Sequence, residues 1–243
     1  MNLKLQPVML CMTAIFSLGL SACDRSKAAS GNLSDKPDLA AGAAEEGSAG
    51  SQVSSVVGER ELSLAAGPDV CFRAAAEQLG ADTKVSEITS FFSAGKDIDS
   101  NAREPEGMMT ICTVEYQDPK DPRKLVSVQM DVSSGTFGDP QPVDITVAGG
   151  DAATFKLEDY LIPLSQVNAA ELKSVMAAQK AKLGGVYSRY AWSGVRLSAP
   201  GAFNSTHTLR LDLTGRLAAN DIRQEGYASV TTDGKTIKTN NLM

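Results

Sequence analysis

The chain has 243 residues, with 29 acidic side chains against 23 lysines and arginines and a formal net charge of −6. That balance argues against nucleic acid or anionic phospholipid as a partner, since both need basic patches, and suits either a basic partner or plain solubility. A single histidine beside four cysteines leaves few ligands for a zinc centre.

The first segment reads as one built to be removed. Lys4 supplies a positive region, Val8 to Leu20 an apolar run, and Ser21 and Ala22 the small residues of a cleavage site. At about 13 residues the run is too short to cross a bilayer, which takes roughly 20. Leu20-Ser21-Ala22-Cys23 resembles the lipobox of bacterial lipoproteins. The resemblance implies that residues 1–22 are a signal peptide and that Cys23 is acylated and becomes the first residue of the mature chain. It implies further that the protein faces the periplasm, anchored to a bacterial membrane by lipid. Asp24 favours the inner membrane in this reading, with the outer membrane as the alternative. Loss of Lys4 moves the net charge to about −7.

Processing at Cys23 discards Cys11 and commits Cys23 to lipid, so Cys71 and Cys112 remain. In an oxidising periplasm such a pair is most simply a disulfide. Two buried free thiols or a redox pair are the alternatives, and the redox pair lacks a C-x-x-C spacing. From Cys23 to residue 67 the chain is rich in Ala, Ser, Gly, Glu and Asp and contains no aromatic residue. The stretch therefore reads as a disordered tether with a reach of roughly 35 Å, with Val53 to Leu64 as a possible short strand or helix.

The folded part starts near Pro68 and divides into two halves, 68–150 and 151–243. In the first, Pro68 or Asp69 opens a helix with Cys71, Ala75 and Leu79 on its core face, stopped by Gly80. Val85, Ile88 and Phe92 fall at i, i+3, i+7 and predict a second short helix. Met108 to Tyr116 and Leu125 to Val132 alternate with period two around the turn Asp118-Pro119-Lys120-Asp121-Pro122, which predicts a hairpin. Val143, Ile145 and Val147 read as a third strand, continuing through Gly149-Gly150-Asp151 into Phe155 and Leu157 as another hairpin.

In the second half, Asn168 and Glu171 suggest a capping box. The helix it opens carries Leu172, Val175, Met176, Gln179 and Leu183 on one face and ends at Gly184-Gly185. Strands follow at Tyr187 to Leu197, Thr206 to Leu213, and Tyr227 to Thr239, the last turning on Asp233-Gly234. The order predicts an α+β fold of two tandem helix-on-antiparallel-sheet units. In element order alone this is similar to PepSY-like, cystatin-like and nuclear-transport-factor-like modules.

Catalytic motifs are sparse. His207 shares strand parity with Leu209, Leu211 and Leu213, while Asp212 has the opposite parity and faces away, so no histidine-carboxylate pair is expected. No G-x-S-x-G elbow or Gly-rich phosphate loop occurs. Asp97 to Asn101 begins like an EF-hand loop, but Ala102 and Met108 stand where Gly and a bidentate Glu are needed. Glu158 and Asp159 are adjacent, and on a strand they would face opposite sides.

Tyr187, Arg189, Tyr190 and Trp192 concentrate the residue types of interface hot spots. Read structurally instead, Tyr190 and Trp192 pack under the second helix. The function expected is therefore a lipid-anchored, non-catalytic envelope protein without a cofactor or metal. It would bind a protein partner, as an inhibitor or immunity lipoprotein does against a toxin or lytic enzyme. A small-ligand-binding lipoprotein or envelope-assembly factor is the alternative, and a hydrolase is the less favoured third.

Overall fold

The computed structural model describes residues 62–147, 152–201 and 204–243. The signal segment, Cys23, nearly all of the tether and Gly149-Gly150-Asp151 lie outside the described residues.

After a 3-10 turn at Leu64–Ala66, helix α1 (Val70–Leu79) leads to strands β1 (Lys84–Phe92), β2 (Met109–Gln117) and β3 (Leu125–Asp131). Two short strands, β4 (Thr136–Phe137) and β5 (Gln141–Val143), then run back along the free edge of β3. The break between them falls at Gly138-Asp139-Pro140, where proline has no N–H to give the ladder. Strand β6 (Ile162–Pro163), helix α2 (Leu172–Val186), β7 (Tyr187–Ser198), β8 (Thr208–Leu217), β9 (Arg223–Val230) and β10 (Ile237–Asn241) complete the order.

All pairings are antiparallel, in the order β10-β9-β8-β7-β1-β2-β3-β4, with β5 beside β3 and β6 beside β1. The α+β class with an antiparallel sheet is thus the observed architecture. Both halves expected from the sequence contribute to one continuous sheet, because β1 of the first pairs with β7 of the second, Ile88 opposite Leu197 and Ser90 opposite Val195. The Ser90 hydroxyl closes that seam by donating to the Val195 carbonyl at 2.8 Å.

One hydrophobic core fills the space between the helices and one face of this sheet. Ile88, Leu197, Leu209, Leu211 and Leu213 from the strands meet Leu172 and Leu183 from α2, all almost completely buried. Each such side chain contributes roughly 1.5–3 kcal/mol by leaving water. The face predicted for α2 is the buried one, with Val175 and Gln179 beside those leucines and Met176 at its margin. Helix α1 ends at Gly80 as expected, with φ +103° and its N–H on the Ala76 carbonyl. Cys71 of α1 and Cys112 of β2 form a disulfide, Cα to Cα 5.7 Å, with both residues fully buried.

Four local expectations are corrected. Val85 to Phe92 is a central strand, not a helix. A register shift between Val85 and Glu87 puts an extra residue in the strand, so its inward positions run Val85, Ile88, Ser90, Phe92 and imitate helical spacing. The hairpin expected from Val143 to Leu157 is absent among the described residues. Ile145 is exposed, and Ala152–Thr154 and Leu157–Tyr160 are 3-10 turns.

At the third site, Asn168 makes no side-chain capping bond; a 3-10 turn, Ala169–Glu171, leads into α2 instead. The fourth concerns the helix end. Helix α2 runs through Gly184-Gly185 to Val186 and passes straight into β7. The turn at Asp233-Gly234 does join β9 and β10. Gly234 (φ +74°) sits so close that an added Cβ would come within 2.5 Å of the Asn168 carbonyl oxygen, which seats the turn at the start of α2.

Candidate functional site

The helices cover one face of the sheet only. Strand β8 shows the division most plainly, because Leu209, Leu211 and Leu213 enter the core while Arg210, Asp212, Thr214 and Arg216 alternate onto the outer face. Strand β7 adds Arg196 to that outer face, and β9 adds Arg223, Glu225 and Tyr227.

Three pairs of arginines stand directly across from each other there, Arg196 with Arg210, Arg216 with Arg223, and Arg189 with Arg216. Like charges in that position repel, so each pair needs a partner to hold it. For the first pair it is Asp212. Arg196 donates through Nε at 2.9 Å and through an Nη at 3.1 Å, and Arg210 donates through Nε at 2.7 Å. Gly194, directly across from Asp212, provides the room, since a Cβ there would lie 2.9 Å from the Phe91 ring and 3.0 Å from an Asp212 oxygen.

Aromatic rings flank both guanidiniums. Arg210 lies over the Tyr227 ring at 3.9 Å from the centroid and Arg196 over Phe91 at 5.7 Å, both within cation-π reach. Ser193 and Thr214 join these residues around an open concavity of about 570 Å³.

The second arginine pair is used to fasten the loop between β1 and β2. Arg216 donates to the Ile98 carbonyl at 2.8 Å, and Arg223 bridges Asp99 at 2.9 Å and Glu225 at 3.0 Å. Ile98 is buried against Ala94 and Ala191 on the outer face. The acidic stretch Asp97 to Asn101 is therefore a docked rim rather than a free loop. Among the described residues no three His, Cys, Asp or Glu side chains converge as a metal site would require.

His207 lies elsewhere, just before β8, with its Nε2 at 3.1 Å from the Tyr160 carbonyl. Burial pushes its pKa below the usual imidazole value, and the Tyr160 carbonyl opposes that shift. Asp212 is engaged on the outer face, as its parity predicted. Glu158 and Asp159 are exposed on the 3-10 turn Leu157–Tyr160 and belong to no strand.

No protein-family model, curated protein or solved structure matches the chain.

The aromatic cluster singled out in the sequence packs inward. Tyr187 and Trp192 are core residues, at 2% and 8% exposure, and Tyr190 is packed against them, 6.4 Å from Trp192 in an edge-on arrangement. Tyr187 also donates to the Leu242 carbonyl at 2.7 Å. Of the four, Arg189 alone is exposed, and it pairs with Asp221 at 2.7 Å.

The outer-face cluster of Phe91, Arg196, Arg210, Asp212 and Tyr227 was not anticipated. Its signal was present in Arg210-Leu211-Asp212-Leu213-Thr214, where the outward positions carry charge of both signs rather than neutral polar residues. Among the described residues no helix is long and apolar enough to cross a membrane.

Proposed function

We propose that this protein is a lipid-anchored component of a bacterial envelope that binds another protein through the outer face of its sheet and catalyses no reaction. An inhibitor or immunity lipoprotein acting on a toxin or lytic enzyme is the specific case. The lipobox at Cys23 supports the location, with Asp24 inclining it to the inner membrane, and the aromatic-poor stretch behind it supports a tether.

The observation that carries the binding role is the one-sided sheet: one face is sealed by two helices and the other presents paired arginines, tyrosine and phenylalanine around a shallow concavity. Arg and Tyr are the residue types that dominate interface energetics. A bound small molecule is less favoured, because leucine side chains already fill the space between helices and sheet. The architecture also suits tandem use. Each half brings one helix and its own strands, and we read the two as helix-on-sheet units fused at the seam of β1 and β7.

The test is co-purification after crosslinking in cells that express the full chain, together with challenge by a secreted toxin encoded beside its gene. A one-to-one complex and protection from the toxin are expected. Absence of any stoichiometric complex under both conditions would refute the reading.

A further inference from the structure

We propose that the Arg196-Asp212-Arg210 cluster is a receptor for a carboxylate side chain presented by an acidic, aromatic-bearing peptide segment. The proposal rests on the protein-binding reading above and names what the partner brings.

Five guanidiniums and four carboxylates, Asp99, Asp212, Asp221 and Glu225, share this part of the outer face, and Arg189 is held by Asp221. Arg216 and Arg223 are already held by the Ile98 carbonyl, Asp99 and Glu225. The other pair is not so fully engaged. Asp212 is its single carboxylate, and Arg210 gives that carboxylate only Nε. Among the described residues the two terminal amino groups of Arg210 have no acceptor, and one terminal amino group of Arg196 is likewise without one. Two amino groups on one guanidinium form a fork that matches both oxygens of a carboxylate.

The Tyr227 and Phe91 rings lie beside the guanidiniums and supply apolar surface for an aromatic neighbour of the incoming carboxylate. Arginine, rather than lysine, at both positions fits planar recognition. Because the chain itself carries a net charge of −6, the acidic segment is expected to be local to a partner that is not acidic throughout.

The probe is a fluorescein-labelled peptide of alternating glutamate and phenylalanine, read by anisotropy against the full-length chain in detergent micelles. The same peptide with glutamine in place of glutamate is the control, and free acetate and phosphate are competitors. Binding of the glutamate peptide is expected, with the glutamine peptide at least about tenfold weaker, as loss of a charged hydrogen-bond partner implies. Arg196→Gln and Arg210→Gln should each weaken it by a similar factor. Asp212→Asn should tighten it severalfold, because it removes the internal competitor; a merely structural role for the cluster predicts no gain. Melting curves of each variant establish that it is folded.

Equal binding of the two peptides, or unchanged binding in both arginine variants, would overturn the proposal. Competition by phosphate as strong as by acetate would also overturn the carboxylate assignment. If a cellular complex forms equally with wild type and with both arginine variants, the receptor site fails and the protein-binding reading stands. If the peptide binds as expected and no cellular complex exists, the site stands and that reading fails.

Discussion

Breaking the Cys71–Cys112 bond offers the clearest quantitative test of how the first half is held. The bond closes a loop with a sequence separation of 41. The chain-entropy relation gives about 4 kcal/mol for such a loop, most of it from restricting the unfolded chain. For a domain of roughly 180 residues each kcal/mol moves Tm by about 2–4 °C, so a drop of about 8–16 °C is expected.

Because both cysteines are fully buried, reductant should act on the native protein only through opening of α1. The proper comparison is therefore protein unfolded and refolded with and without a phosphine reductant, followed by calorimetry or circular dichroism. The variant Cys71→Ala with Cys112→Ala should fall somewhat further, since it also removes two buried sulfurs. A difference below about 3 °C between reduced and oxidised protein would refute the argument. It would mean that α1 keeps the unfolded chain restricted, or docks by itself, well enough for the crosslink to be redundant.

Three further outcomes are expected. Gly226→Ala places a Cβ 2.8 Å from the backbone of Leu242, which is fully buried, so the chain end must move. Urea titration should show a loss of about 2–4 kcal/mol for this variant and for Leu242→Ala, with the double variant far from additive because both dislodge the same residue. Glu115 stands directly across from Glu87, and burial first and then Glu87 raise its pKa. A raised carboxyl favours the folded state in acid and loses that contribution as pH climbs past the ordinary carboxylate value. Glu115→Gln should hence stabilise by a few tenths of a kcal/mol at pH 7 and lose the gain in acid, read by melting across pH. His207 has a lowered pKa, so on acidification the unfolded chain takes up its proton first. Stability should fall as pH drops below about 6.5, and His207→Gln should flatten that slope.

The parts of this fold that were legible from the sequence are those where one residue type repeats on one face. Strand β8 alternates leucine with polar residues, and α2 carries its apolar stripe at helical spacing, so both were identified with the correct inward residues. Strand β1 was not, because its extra residue breaks the alternation on which the inference depends. The seam between β1 and β7 was equally hidden: it joins segments about 100 positions apart, and nothing local distinguishes a strand that pairs with its neighbour from one that pairs across the chain. At the candidate site the sequence left the densest aromatic run, Tyr187 to Trp192, open between a contact patch and core packing under the second helix, and in the fold its aromatic rings pack inward. The residues that face outward are spread over four strands and converge only when the sheet is complete.

The same seam sets an order of events. Strand β1 lies in the middle of the finished sheet, yet both of its long neighbours arrive later in the chain, β2 soon and β7 only after about a hundred more residues. Long-range pairing of this kind raises contact order and slows folding. Before the C-terminal half is in place, the backbone of Ile88 to Phe91 on the β7 side of β1 is an unpaired edge, and such edges recruit other strands. Until β7 is in place, that edge of the central strand has only the short strand β6 to cover it, so the two halves of the chain complete one sheet together.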